Sequence, residues 1–252
     1  MSTADRVLSV LALFTMEQPE WTVEEAMVEL GLSSSTAYQY FRSLVEAGLL
    51  VASRTGLYSI GPGVIRLDRI TRRHDPLIRE ARDSMHRLAD VFRSDGIALL
   101  CRSFRSQVMC VDQLSAGANF AIGYERGRPM PLFRGAASKA ILAQMPSRAT
   151  RRLWDSESDS IAAAGLGKDW EAFKASLRQL RRHPAITTFG EIDPGLVGIS
   201  AAVFDAEGLV CGSLGVVLSA AEHNRDQELT LNYRTLVAQE AEALTARLNA
   251  AR

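Results

Sequence analysis

The chain has 252 residues, 47% hydrophobic and 23% charged, and its 29 basic side chains balance 29 acidic ones. That composition suits one large domain or a small one with a medium one, and neutrality excludes a chain that binds nucleic acid over its whole surface. No run approaches the roughly 18 apolar residues of a membrane span, and three scattered cysteines with four histidines and no C-x-x-C point to a reducing, cytoplasmic setting without a disulfide framework, structural zinc or other cofactor.

MSTADRVLSVLALF lacks a basic start and a small-residue cleavage site, so it reads as a first helix over 4–14, with Val7, Leu8, Val10, Leu11 and Phe14 at helical spacing and Pro19 closing the region. Thr22-Val23-Glu24-Glu25 is a capping-box pattern, and the helix it opens runs to Leu30 and stops at Gly31. Ser33 suits the N-cap of the next helix. There Ala37, Tyr40, Phe41, Leu44 and Val45 form one stripe, while Ser34, Ser35, Tyr38, Gln39 and Arg42 form another; Gly48 closes it. LLVASRTGLYSIG then alternates like two short strands around Arg54-Thr55-Gly56. Helix, helix, turn, helix, hairpin is the order of a winged helix-turn-helix over 1–62, and Gly61-Pro62-Gly63 punctuates its end.

A short basic helix (64–73) and an amphipathic helix begun by Asp75-Pro76, with Leu77, Ile78, Ala81, Met85, Leu88, Ala89 and Phe92 on one side, make 63–93 a helical linker. Over 94–252 strand-like runs appear at 97–104, 107–114 and near 118–124, and helical patterns at 136–144, 148–154 and 168–182. Two apolar strand runs, Val197–Phe204 and Leu209–Leu218, are joined by Asp205-Ala206-Glu207-Gly208, and a long helix from about Asp226 to Leu248 closes the chain. Antiparallel strands with covering helices predict an α+β sensor domain.

Charge is unevenly spread. Residues 1–30 set Arg6 against Asp5, Glu17, Glu20, Glu24, Glu25 and Glu29, a balance of −5, whereas 31–73 set Arg42, Arg54, Arg66, Arg69, Arg72 and Arg73 against Glu46 and Asp68, a balance of +4. Positive charge therefore begins at the second helix of the helix-turn-helix, the one whose N-terminal residues enter a major groove. Ser34, Ser35 and Thr36 at its mouth present hydroxyls and helix-start amides. Tyr38, Gln39 and Arg42 lie further along the same face, where glutamine pairs with adenine and arginine with guanine, and Arg54 at the hairpin tip reaches toward a neighbouring phosphate or the minor groove. The alternative is a solvated polar face behind a serine cap.

The segments LSSSTAYQYFRSLVEAGLL, GLYSIGPGVIRL, RGRPMPLFRGAASKAILA and GLVGISAAVFDAEGLVCGSLGV resemble, in order, the recognition helix, wing end, sensor loop and paired sensor strands of the IclR-type bacterial transcriptional regulators. The resemblance implies an α+β chain with an N-terminal winged helix-turn-helix, a linker helix and a C-terminal GAF-like effector-binding domain. It also implies operator binding as a homodimer or homotetramer, modulated by a small organic-acid, aromatic or lactone effector. The effector site it implies draws on Phe133, Arg134, Gly135 and Ala136 in the sensor loop, on Glu191 and Asp193, and on Gly198, Cys211, Ser213, Gly215 and Val217 in the strands. Departures from the family pattern are Gln39 for an arginine, Phe133, Arg134 and Ser138 for a histidine, a small residue and a glycine, and Gly215 and Val217 for two hydroxyl residues; Lys139 is kept. The last pair implies a less polar effector, with Ser213 as a substitute donor. Arg134 stands either at the pocket mouth or in a surface pair with Glu125 or Glu191, and Glu191 and Asp193 either cap a turn or rim the pocket.

Two catalytic patterns are incomplete. Gly165-Leu166-Gly167-Lys168 lacks phosphate-loop spacing and reads as a helix-entry loop, and Cys211-Gly212-Ser213-Leu214-Gly215 lacks the first glycine of a nucleophile elbow. Cys101 and Cys110 read as core, and Cys211 as core or as a redox-sensing thiol. The sequence therefore predicts a regulator that is not an enzyme, with an enzyme carrying an appended helix-turn-helix as the rival reading.

Overall fold

The chain forms two units that divide between Asp75 and Pro76 in a computed structural model describing residues 2–92, 96–117, 122–221 and 227–250. In the first unit, α1 (Thr3–Leu11) starts at a Ser2–Asp5 capping box and α2 (Val23–Leu30) at a Thr22–Glu25 one. α2 ends at Gly31, whose φ of 61° is left-handed. α3 (Ser34–Glu46) is capped by Ser33, which accepts the Thr36 amide. The expected 4–14 helix stops short because the chain turns at Ala12, and the Leu13 carbonyl accepts the Trp21 indole N–H at 2.9 Å.

β1 (Leu50–Ala52) and β2 (Tyr58–Ile60) form the hairpin, pairing Leu50 with Ile60. Trp21 bridges to Tyr58 on the hairpin's other side. Val10, Trp21, Val23, Ala26, Ala37, Tyr40, Phe41, Leu44 and Leu50 are the core, and Tyr58 meets the Phe41 ring edge-on at 4.7 Å. Val45, expected in the buried stripe, is exposed. α4 (Gly63–His74) follows the wing. A Cβ at Gly61 or Gly63 would come within 2.5 Å of the Gly48 carbonyl, which is why the wing-to-helix turn is Gly-Pro-Gly.

The second unit is built on a six-stranded antiparallel sheet in the order β5-β4-β3-β8-β7-β6. Its strands are β3 (Gly96–Phe104), β4 (Gln107–Ala116), β5 (Pro129–Pro131), β6 (Ile186–Phe189), β7 (Leu196–Phe204) and β8 (Val210–Ser219). One face carries α5 (Pro76–Asp90) and α9 (Gln227–Ala250): Leu77, Ile78, Ala81, Met85 and Leu88 pack with Tyr233, Val237, Ala241 and Leu244 on Leu100, Leu214 and Val216. The opposite face carries α6 (Ala136–Gln144), α7 (Ser147–Ala163) and α8 (Trp170–Arg181) over Ile97, Leu99, Cys101 and Val217. Coverage on both sides explains the unbroken apolar runs of β3 and β8.

The stretch expected as a linker is thus divided. α4 belongs to the first unit and has no buried residue, whereas α5 is part of the second unit's core. α7 is longer than the 148–154 pattern and kinked at Glu157. β5 and β6, too short to show in the sequence, complete the sheet edges. The strand expected near 118–124 lies partly outside the described residues, and 122–124 form no strand. Among the described residues no helix is long and apolar enough to cross a membrane.

Candidate functional site

Two places collect the residues expected to function. On α3 the two stripes separate cleanly: Ala37, Tyr40, Phe41 and Leu44 are buried, while Ser34, Ser35, Tyr38, Gln39 and Arg42 are exposed and Thr36 is half-buried. Arg54 is exposed in the turn between β1 and β2. The polar groups of this face are tied to near neighbours. Arg42 Nε donates to Glu46 Oε1 at 2.9 Å, a fully surface pair one turn apart. The Tyr38 hydroxyl donates to Glu24 Oε1 at 2.7 Å. That bond holds the Glu24 carboxyl below its ordinary range and pushes the Tyr38 phenol up. Such surface pairs contribute little, so exchanging them for an anionic partner costs little.

The second place is a cleft in the C-terminal unit, bounded by the start of α6, the β6–β7 turn and strands β7 and β8. It holds about 430 Å³ of atom-free space out to its open mouth. Gly135, Ala136, Glu191 and Asp193 line it, with Gly198, Gly215 and Val217 from the strands.

The other expected residues lie elsewhere. Phe133 is buried in the core under α6. Arg134 is exposed, and its Nη2 donates to the Glu191 backbone carbonyl at 2.5 Å, so it meets Glu191 at the surface beside the cleft through the carbonyl and not as an ion pair. Ser213 lies deeper along β8, fully buried, with its hydroxyl donating to the Ala137 carbonyl at 3.1 Å; it cannot stand in as a donor to a ligand, nor serve as a nucleophile. Cys211 is half-buried, donates weakly to the Val203 carbonyl, and does not line the cleft.

The carboxylates of the cleft are already engaged. Glu191 Oε1 accepts Lys139 Nζ at 2.6 Å and Oε2 accepts the Gly135 amide at 2.9 Å. Asp193 Oδ2 accepts the Gly123 amide at 2.7 Å. Both alternatives stated for these acids therefore hold together: they tie turns and rim the cleft. Three polar lining residues were not anticipated, Tyr124, Thr188 and Ser200. The Tyr124 hydroxyl donates to the Arg134 carbonyl at 2.9 Å and lies 2.7 Å from Ser138 Oγ; burial pushes its phenol well above the ordinary value. Ser200 Oγ donates to the Leu214 carbonyl at 3.0 Å. A Cβ at Gly215 would meet that Oγ at 2.6 Å and the Ile199 carbonyl at 2.4 Å, so the hydroxyl missing from position 215 is supplied by the neighbouring strand.

The phosphate-loop look-alike is the turn between α7 and α8, with Asp169 capping α8 through the Ala172 amide. Cys101 and Cys110 are cross-strand partners, both buried. Hydrogen bonding to Cys110 and then burial raise the Cys101 thiol, which makes it an unreactive core residue.

Both parts of the chain match known proteins. Residues 3–54 match the family model of the IclR helix-turn-helix domain, and residues 71–246 match that of the bacterial transcriptional regulator IclR C-terminal domain. The chain is 20% identical over 226 residues to the HTH-type transcriptional regulator KipR of Bacillus subtilis, covering 89% of each chain. Its fold matches that of an IclR transcriptional regulator from Alicyclobacillus acidocaldarius, with a TM-score of 0.79 at 18% identity over 98% of both chains. It also matches that of an IclR homolog from Microbacterium hydrocarbonoxydans complexed with 4-hydroxybenzoate, with a TM-score of 0.75 at 19% identity over 99% of this chain and 100% of that one.

Proposed function

This chain belongs to the IclR family of bacterial transcriptional regulators, a non-enzymatic role, and from that premise we propose a one-component cytoplasmic regulator in which operator binding by the first unit responds to a small metabolite held in the cleft of the second. In this reading the unit up to Asp75 reads DNA and the unit from Pro76 binds the effector. The observation that carries the reading is the exposed polar face of α3, with Ser34, Ser35, Tyr38, Gln39 and Arg42 turned to solvent by a helix whose other face is core. Thr36 at the helix mouth and Arg54 at the wing tip flank that face.

The operator-bound species is a homodimer or homotetramer. Support comes from α4, whose Val64, Leu67 and Ile70 share one face and are exposed on a helix with no buried residue. An apolar stripe of that kind is normally covered. For the effector, the family suggests an organic-acid, aromatic or lactone compound, and the relative from Microbacterium hydrocarbonoxydans holds an aromatic acid. Ligand binding shifts DNA affinity by the difference in ligand affinity between the two arrangements.

Selection from a random duplex pool, followed by anisotropy titration, tests the reading. A selected sequence should bind the full chain in a salt-dependent way. If no duplex is enriched over bulk DNA, the regulator reading fails.

A further inference from the structure

The start of α6 leaves its first donors unused. Gly135, the N-cap, has no side chain to offer, and the first bond of the helix runs from the Lys139 amide to the Gly135 carbonyl at 3.0 Å. Among the described residues no group accepts from the Ala136 or Ala137 amide, and both residues line the cleft. The positive end of the helix is therefore uncapped where the cleft meets it.

A side chain supplies a third unused donor. Thr188, on β6, is 7% exposed and lines the cleft, and its hydroxyl has no hydrogen-bond partner among the described residues. A Cβ placed on Gly198 would lie 3.4 Å from Thr188 Oγ1 and 4.0 Å from the Ala136 nitrogen. The side chain that Gly198 lacks thus leaves open a hollow bordered by both donors. The other hydroxyls of the lining are committed, Ser200 to the Leu214 carbonyl and Tyr124 to the Arg134 carbonyl. A buried hydroxyl without a partner beside an uncapped helix start is a position that an acceptor on a ligand completes.

We propose that Thr188 selects the effector of this protein: its hydroxyl and the Ala136 and Ala137 amides hold a single carboxylate over Gly198, and the effector is a monocarboxylic acid with an apolar body. The inference rests on the effector reading above and narrows it. Leu99, Ile192, Leu196 and Val217 line the cleft and suit a hydrocarbon body. Among the described lining residues none is lysine, arginine or histidine. Asp193 lines the cleft too, bonded to the Gly123 amide and with no cation paired to it among the described residues. A second carboxylate on the ligand would be desolvated beside that charge with nothing to offset it.

The test uses the full chain without DNA, with melting temperature followed at constant ionic strength as sodium chloride is replaced by the sodium salts of butyrate, succinate, benzoate or terephthalate. At least one of the monoacids butyrate and benzoate should stabilise wild type saturably, and at least about ten-fold more tightly than the diacid of like body. Thr188→Val keeps the shape and removes the hydroxyl, and should weaken that monoacid by about ten-fold. Thr188→Ser keeps the hydroxyl and should stay within about three-fold of wild type. Independently of any variant, the Ala136 and Ala137 amide resonances of wild type should shift with the same midpoint as the melting temperature. Binding of neither monoacid, a diacid bound as tightly as its monoacid, a folded Thr188→Val that loses nothing, or amide resonances that stand still overturns the proposal. Because no DNA is present, a failed operator selection with acid binding intact removes the regulator reading alone, and an enriched operator with no acid bound removes this inference alone.

Discussion

The outer face of α3 and the cleft at the start of α6 both gather polar side chains, and they differ in where the partners lie. Arg42 is bonded to Glu46 four residues away and Tyr38 to Glu24 on the adjacent helix, all in solvent. In the cleft Glu191 reaches Gly135 and Lys139 across more than fifty residues of chain, and Asp193 reaches Gly123 across seventy. Exposed, local pairs are exchanged at little cost, so a surface held by them stays available to a large polyanion. Half-buried, long-range pairs cost more to break than surface ones, so a site held by them selects ligands that fit around what is already satisfied.

The comparison breaks most visibly if the α3 face depends on more than its helix. Phe41 is fully buried and stacks edge-on with Tyr58. Phe41→Ala should destabilise the first unit by about 3–5 kcal/mol and abolish operator binding. Calorimetry should show the loss in the transition of that unit, and persistence of tight operator binding would mean that the packed helix is not what presents the face.

Next is Gly215→Ser, which puts a hydroxyl on the cleft wall. The added Cβ meets the Ile199 carbonyl and Ser200 Oγ, both too close. Overpacking should cost about 1–3 kcal/mol in denaturant unfolding, and a neutral outcome would show that β7 yields and that the cleft is softer than its contacts imply.

Arg42→Ala sharpens the comparison from the other side. Its one ion pair is wholly exposed, so the melting temperature should stay put, while affinity for the selected operator falls by roughly 1–3 kcal/mol. Anisotropy titration measures the second and a thermal melt the first; a loss of stability with affinity unchanged would take Arg42 off the interface.

What was legible in the sequence follows the same division. The helix-turn-helix could be read because its signals are local: Thr22 and Glu25 three residues apart, Gly31 after the last apolar position, Ser33 before the next helix, each observed in its expected role. The cleft could be read only as a set of segments. Lys139 and Glu191 were each noticed, but nothing within reach of either in sequence says that they meet, and Arg134 drew attention by its charge although its side chain is exposed. Thr188 and Ser200 sit in short or apolar strand runs where a hydroxyl looks like filler. Only the β6–β7 and β7–β8 pairings bring them to one wall.

The smallest expected effect separates two carboxyls that are both held low in the fold. Glu24 is kept low by a surface bond from Tyr38. Glu240 joins α9 to α5: Arg87 Nε and Nη2 donate to it at 2.6 and 2.8 Å, Ser84 Oγ at 2.6 Å, and Arg247 Nη2 donates to that same Ser84 oxygen. Burial alone would push the Glu240 carboxyl up, but the bonds from Arg87 and Ser84 with the charges of Arg87 and Arg247 outweigh it and hold it below 4.5. A carboxyl lowered in the folded state stabilises the fold at pH values above its unfolded value, and that contribution is lost as pH falls through the folded one. Stability measured by urea unfolding should therefore decline below about pH 4.5. Glu240→Gln should flatten that decline by about 1 kcal/mol, whereas Glu24→Gln should leave it nearly unchanged, because water replaces its partner freely. Equal flattening by the two would mean that burial adds nothing to a bonded carboxylate here, and the contrast between the exposed face and the enclosed one would lose its energetic basis.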